Sequence, residues 1–111
     1  MGLASRRVTM LVLVLLVGAT PLGLQATQPT QTVEIKDFVF TPQTIVVQVG
    51  TTVVWRNKDI VPHTATAQDI TWDIDEIRGG TEKTHQFMRP GRYPYRCRYH
   101  PAMQGVIEVQ P

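Results

Sequence analysis

The sequence predicts an all-β fold, an antiparallel sandwich or barrel. Three observations carry that expectation. Apolar residues alternate with polar ones over short runs, as in Thr32–Lys36 and Thr52–Asn57. Turn signals recur at close spacing: Gly50-Thr51, Gly79-Gly80 and Arg89-Pro90-Gly91. Beyond residue 26 no segment sustains a helical period, and there is no internal repeat or low-complexity tract.

Each element can be justified in order. Residues 1–26 are expected to be an export signal. Arg6 and Arg7 precede the apolar run Met10–Val17, Gly18, Pro21 and Gly23 then break it, and Ala26 offers a small residue for cleavage. The run is shorter than the ~20 residues a membrane span needs, so a membrane association would require an uncleaved leader acting as an anchor. Ser5-Arg6-Arg7 raises a twin-arginine route, but Val8-Thr9-Met10 lacks that motif's aromatic-leucine continuation. The working domain is then residues 27–111, with 26–31 as a loose tail.

In Thr32–Lys36, Val33 and Ile35 share one face; Phe38-Val39-Phe40 reads as an extended continuation toward Pro42. Thr44–Val49 is rich in β-formers, and Thr52–Asn57 sets Val53 and Trp55 opposite Val54 and Arg56. After a loop over Lys58–Pro62, a short strand begins at His63. Asp69–Arg78 is polar, with Ile70, Trp72, Ile74 and Ile77 as expected anchors, and Gly79-Gly80 ends it. Glu82–Phe87 and Arg92–Cys97 are strands, the latter with Tyr93, Tyr95 and Cys97 on one face. His100–Gly105 is a loop, and Val106–Val109 closes the chain.

Composition excludes several functions. The 111 residues carry eleven Lys+Arg against nine Asp+Glu, a net charge of +2. Removing Arg6 and Arg7 with the leader makes the two signs equal in number, so the basic isoelectric point offers no case for nucleic acid. A single cysteine excludes an intrachain disulfide and a paired-CxxC zinc site. A chain this short with no disulfide raises the question of a stabilising metal.

The chemistry concentrates in Cys97-Arg98-Tyr99-His100-Pro101-Ala102-Met103, a Cys-x-x-His-x-x-Met spacing, with His63 upstream. One thiolate, two imidazoles and a thioether form a donor set suited to a single copper ion, and the soft thioether is a poor ligand for zinc or magnesium. A buried inert thiol and a core methionine are the bland alternatives for Cys97 and Met103, weakened by the spacing they share with His100. His85 reads as a partly buried or surface histidine outside this set. Arg89, Arg92, Arg96 and Arg98 form either a solvated face or a basic patch for an acidic partner. Asp69, Asp73, Asp75 and Glu76 are expected to place acid elsewhere, making a charge dipole.

Over nearly all of residues 32–110 the chain resembles the cupredoxins, the small blue-copper proteins, in their amicyanin and plastocyanin-like branch. The matching residues are Pro42, Ile45-x-Val47, Val49-Gly50-x-x-Val53-x-Trp55-x-Asn57 and Pro62-His63. Phe87-x-x-Pro90-Gly91-x-Tyr93-x-Tyr95-x-Cys97-x-x-His100 and Gly105-x-Ile107-x-Val109 complete the pattern. The resemblance implies an eight-stranded Greek-key β-sandwich with peripheral strands trimmed. It implies His63, Cys97 and His100 as equatorial ligands of one copper ion and Met103 as the axial one. Asn57 would link the two ligand loops through hydrogen bonds, and His100 with Pro62, Pro101 and Ala102 would form the electron port. The implied function is one-electron transfer, Cu(II)/Cu(I), by a soluble periplasmic monomer that is not an enzyme. Its partner would be a c-type cytochrome or a periplasmic dehydrogenase. Two other readings stay open: copper storage or delivery without redox turnover, and a metal-free interaction module.

Overall fold

The computed structural model describes residues 2, 4, 11–14, 18 and 29–111. The leader expected over 1–26 therefore lies largely outside the described residues. Leu11–Val14, the part of its apolar run that is described, is exposed and without regular structure. Among the described residues no helix is long and apolar enough to cross a membrane.

The described residues form nine strands: β1 (Thr30–Lys36), β2 (Val39–Thr41), β3 (Thr44–Gln48), β4 (Thr52–Asn57), β5 (His63–Ala67), β6 (Asp73–Ile77), β7 (Glu82–Gln86), β8 (Gly91–Arg96) and β9 (Gln104–Gln110). They form two sheets, ordered β2-β1-β4-β7 and β3-β9-β8-β5-β6, packed as a sandwich. Most ladders are antiparallel, but β1 pairs with β4 and β3 with β9 in parallel. A local alternation pattern is the same for both pairings, so this crossing of the chain between sheets is invisible until the strands are placed.

Alternation puts Val33 and Ile35 of β1, Val53 and Trp55 of β4, and Ile107 and Val109 of β9 into the space between the sheets, all buried. Full burial of each such side chain contributes about 1.5–3 kcal/mol. Trp55 is the hub. It packs on Trp72, Phe87 and Tyr95 at ring-centroid distances of 5.6, 6.4 and 5.5 Å, and Tyr95 meets Phe40 edge-on at 4.7 Å. Tyr95 lies across from Gly105 in the β8–β9 ladder. A Cβ at Gly105 would sit 2.4 Å from the Tyr95 ring, so only glycine admits the aromatic there.

Three local expectations need correction. Phe38 does not continue the extended segment of Val39 and Phe40. It forms, with Asp37, the two-residue turn joining β1 to β2, both with left-handed backbones (φ 52° and 61°). Such turns favour Asn-Gly, and a phenylalanine there has a cost of about 1–2 kcal/mol that something else must offset. Asp73–Ile77, expected only as part of a polar run, is a strand. It lies at a sheet edge, its ladder with β5 shifts register, and Asp75 has φ 60°. An edge strand tolerates charges and bulges, which hides its alternation. Ile70 is no anchor: it sits 80 % exposed in the turn before β6, whereas Trp72 and Ile77 are buried.

Candidate metal centre

β5 and β8 are antiparallel neighbours, so the start of β5 lies beside the end of β8. That places His63, the first residue of β5, next to Cys97, which follows the last residue of β8. The segment after Cys97 closes on itself. The Met103 amide donates to the His100 carbonyl (2.8 Å), and the Cys97 amide donates to the Met103 carbonyl (3.1 Å). The turn brings His100 back over Cys97 and leaves Met103 buried as β9 begins.

Cys97 Sγ lies 3.8 Å from His63 Nδ1 and 3.9 Å from His100 Nδ1. The three donor atoms all fall within 4.8 Å of one another, and this group could hold a metal ion. A common metal with bonds of about 2.3 Å to sulfur and 2.0 Å to imidazole would separate S from N by roughly 3.7 Å at 120° and 3.5 Å at a tetrahedral angle. The observed separations of 3.8 and 3.9 Å are close to what one shared ion would need. One thiolate with two imidazoles is a donor set that suits copper. His63 and Cys97 are fully buried and His100 is partly exposed.

Three residues that the sequence does not mark as part of the site organise it. Asp59 accepts the His63 Nε2 proton at 2.7 Å, which leaves the Nδ1 lone pair facing Cys97. The same carboxylate accepts the backbone amides of Asp37 (2.7 Å) and Phe38 (3.0 Å), and so holds the strained β1–β2 turn. Burial alone would raise the Asp59 carboxyl; the Phe38 amide, His63 and the Asp37 amide outweigh it and hold it below the ordinary carboxylate value. Phe38, held in this way, presents its ring edge-on to both His63 (5.1 Å) and His100 (4.8 Å). Thr64 donates its amide to Cys97 Sγ (3.3 Å) and accepts the Arg98 amide on Oγ1 (2.8 Å). No sequence pattern marks these residues. Asp59 is one acid in a polar loop, Phe38 occupies a turn position that normally selects glycine, and Thr64 looks like any strand threonine.

Asn57 requires a correction. Its Nδ2 donates to the carbonyls of Val61 and Ile77 (2.9 Å each), and its Oδ1 accepts the Asp59 amide (2.9 Å). It thus braces the loop leading to His63 against β4 and β6. The hydrogen bonds that join the two ligand-bearing segments come from Thr64. Gly79 packs against this loop: a Cβ there would lie 2.4 Å from the Ile60 carbonyl oxygen.

His100 meets the exposed Phe38 ring, and Pro101 and Ala102 after it on the loop, like Ile60, Val61 and Pro62 before His63, are exposed. His85 is not in the donor group. It stands on β7, stacked on Trp72 at 5.1 Å, and burial lowers its pKa. The arginines are exposed. The expected separation of acid from base fails, because Arg98 is paired directly with Asp73 and Asp75, and Arg92 lies 3.9 Å from Glu108.

Residues 7–109 match the model of the Cupredoxin-like domain. Amicyanin-alpha of Methylorubrum extorquens is 26% identical over 98 residues, covering 84% of this chain and 82% of that protein. Among solved structures, a purple cupredoxin from Nitrosopumilus maritimus superposes with a TM-score of 0.67 at 27% identity, over 71% of this chain and 98% of its own. The Cu-containing nitrite reductase of Thermus scotoductus SA-01 superposes with a TM-score of 0.69 at 29% identity over 75% of this chain. This chain spans only 22% of the length of that reductase. With the fold, the donor group and these relatives in agreement, the chain belongs to the cupredoxin-like family.

Proposed function

We propose that the protein is a one-electron carrier holding one copper ion on His63, Cys97 and His100, with Met103 as a weaker fourth ligand. The observation that supports this best is the gathering of three donor atoms, with S···N separations of 3.8 and 3.9 Å, around a fully buried thiol. Bound copper supplies a one-electron couple between Cu(II) and Cu(I). The protein's own residues keep the donors in place so that little rearrangement accompanies the change of charge. Asp59 orients His63, Thr64 binds the Cys97 sulfur, and the Asn57 bonds stiffen the loop between them. The relatedness to amicyanin supports the same reading.

His100 is the route to the surface in this proposal. It is partly exposed, bonded into the loop that starts at Cys97 and edge-on to Phe38, and Pro62, Pro101 and Ala102 would complete the contact surface. A small apolar contact would suit a short-lived encounter with a redox partner such as a c-type cytochrome or a periplasmic dehydrogenase. Residues 1–26 would direct export, and the carrier would act as a periplasmic monomer, not as an enzyme.

The test is rapid mixing of the Cu(II)-loaded protein with a reduced c-type cytochrome in the presence of a Cu(I) chelator. A carrier takes up one electron per protein, is reoxidised, and keeps its copper through repeated cycles. Transfer of the ion to the chelator at the first reduction would overturn the carrier reading in favour of copper delivery.

A further inference from the structure

Arg98 follows the thiol residue directly and is held from two directions. Its backbone amide donates to Thr64 Oγ1 at 2.8 Å. Its guanidinium reaches across to β6, with Nη1 3.0 Å from Asp73 Oδ2 and Nη2 bonded to Asp75 Oδ1. The two attachments are joined inside the protein. Thr64 Oγ1 lies 3.0 Å from Thr66 Oγ1, and Thr66 Oγ1 donates to Asp73 Oδ1 at 2.9 Å. A circuit therefore leaves Arg98 at its amide, passes through Thr64, Thr66 and Asp73, and returns to Arg98 at its guanidinium.

The proton directions around this circuit are determined. Thr66 gives its hydroxyl proton to a carboxylate, which can only accept, so the Thr64 hydroxyl must donate to Thr66. Thr64 Oγ1 is then free to accept from the Arg98 amide. Every hydroxyl gives one bond and receives one, with no polar atom of the circuit left over. Asp73 is further fixed by accepting the Asp75 amide at 2.7 Å. Next along the chain, the Tyr99 hydroxyl donates to Glu76 Oε1 at 3.2 Å. Both residues between Cys97 and His100 are thus tied to the same acidic edge strand.

An isolated exposed ion pair contributes little. Here one planar guanidinium bridges two carboxylates, and one of these is oriented by two further donors, so the contacts act as a network. Asp73, Asp75 and Glu76 give β6 its acidic character, and they lie where the loop from Cys97 to His100 passes.

We propose that Arg98 is a positioning residue. Through Asp73 and Asp75 it clamps the Cys97–His100 loop to β6 and keeps the donors gathered before any metal arrives. The copper half of the test rests on the carrier's metal centre; the metal-free half does not.

The experiment compares the wild type with Arg98→Gln, Arg98→Lys and Asp75→Asn, all at exposed positions. In the metal-free protein, Cys97 is reacted with an excess of an aromatic disulfide. Its thiolate attacks one sulfur, forms a mixed disulfide and releases one aromatic thiolate, which is followed by absorbance. In the wild type the buried thiol reacts only when the loop opens. Arg98→Gln should react about five- to tenfold faster, the range expected on cutting coupled polar contacts. Arg98→Lys should fall between, since one ammonium cannot bridge both carboxylates. High salt should accelerate the wild type and leave Arg98→Gln unchanged.

After Cu(II) loading, Arg98→Gln should show a shifted thiolate charge-transfer spectrum at an unchanged copper stoichiometry. Wild-type thiol rates in both Arg98→Gln and Asp75→Asn, with melting temperatures showing both folded, would overturn the clamp. A wild type that gives no charge-transfer band would instead count against the copper reading, with the thiol rates still deciding the clamp.

Discussion

Replacing Asp59 by asparagine removes a negative charge from the ring of a proposed ligand while preserving its shape. The carboxylate oxygen lies 2.7 Å from His63 Nε2. Adding the width of the imidazole and a metal–nitrogen bond of about 2.0 Å places the charge roughly 6–7 Å from the metal position. At an effective dielectric constant of about 20, a unit charge at that distance contributes about 2.5 kcal/mol. At about 2.3 kcal/mol per 100 mV, that corresponds to about 100 mV for one electron. The negative charge favours the more positive oxidation state, so its removal raises the reduction potential. Asp59 shares its charge with two backbone amides, which lessens the effect, and a rise of about 50–100 mV is expected. Cyclic voltammetry of the copper-loaded Asp59→Asn protein measures it directly. A potential that stays level or falls, in a variant that keeps its copper and its visible band, would refute the account of Asp59.

Two further outcomes follow from the packing around the site. Gly105→Ala should destabilise the domain by about 1–3 kcal/mol in denaturant unfolding, because the new methyl meets the Tyr95 ring and that ring is locked by Trp55 and Phe40; a neutral result would mean that the ring can move. His85 makes the metal-free protein pH-sensitive. Burial lowers its folded pKa below the ordinary value of 6.5, so the unfolded chain binds the extra proton first as pH falls. The stability it contributes is complete above about pH 6.5 and is lost as pH drops through the lower folded value. The melting temperature should fall between pH 7.5 and 5.5, less steeply in His85→Gln; an equal slope in the variant would rule His85 out.

Much of the site was legible in the chain because its donors are chemically rare and closely spaced. Cys97, His100 and Met103 lie on one loop, and the likeness to cupredoxins picked out His63 across the sheet. Strands with one buried face, such as β1 and β9, declared themselves by alternation. What stayed hidden depends on long-range pairing. The β1–β4 and β3–β9 ladders are parallel, and nothing local in either strand says so. β6 hid because an edge strand can be acidic and bulged. The turn at Asp37-Phe38 hid because the stabilising partner, Asp59, is 21 residues from Phe38. Asn57 bonds to the β4–β5 loop and to Ile77 of β6, and Thr64 makes the cross-link to the Cys97 segment instead.

The central claim is that Cys97 provides the thiolate of a copper centre. Titrating Cu(II) into the metal-free protein while recording the visible spectrum tests it most directly. The account predicts an intense thiolate-to-copper band that saturates at one ion per protein, disappears in Cys97→Ser and survives in His85→Gln. A colourless copper adduct, or a band that persists in Cys97→Ser, would contradict it.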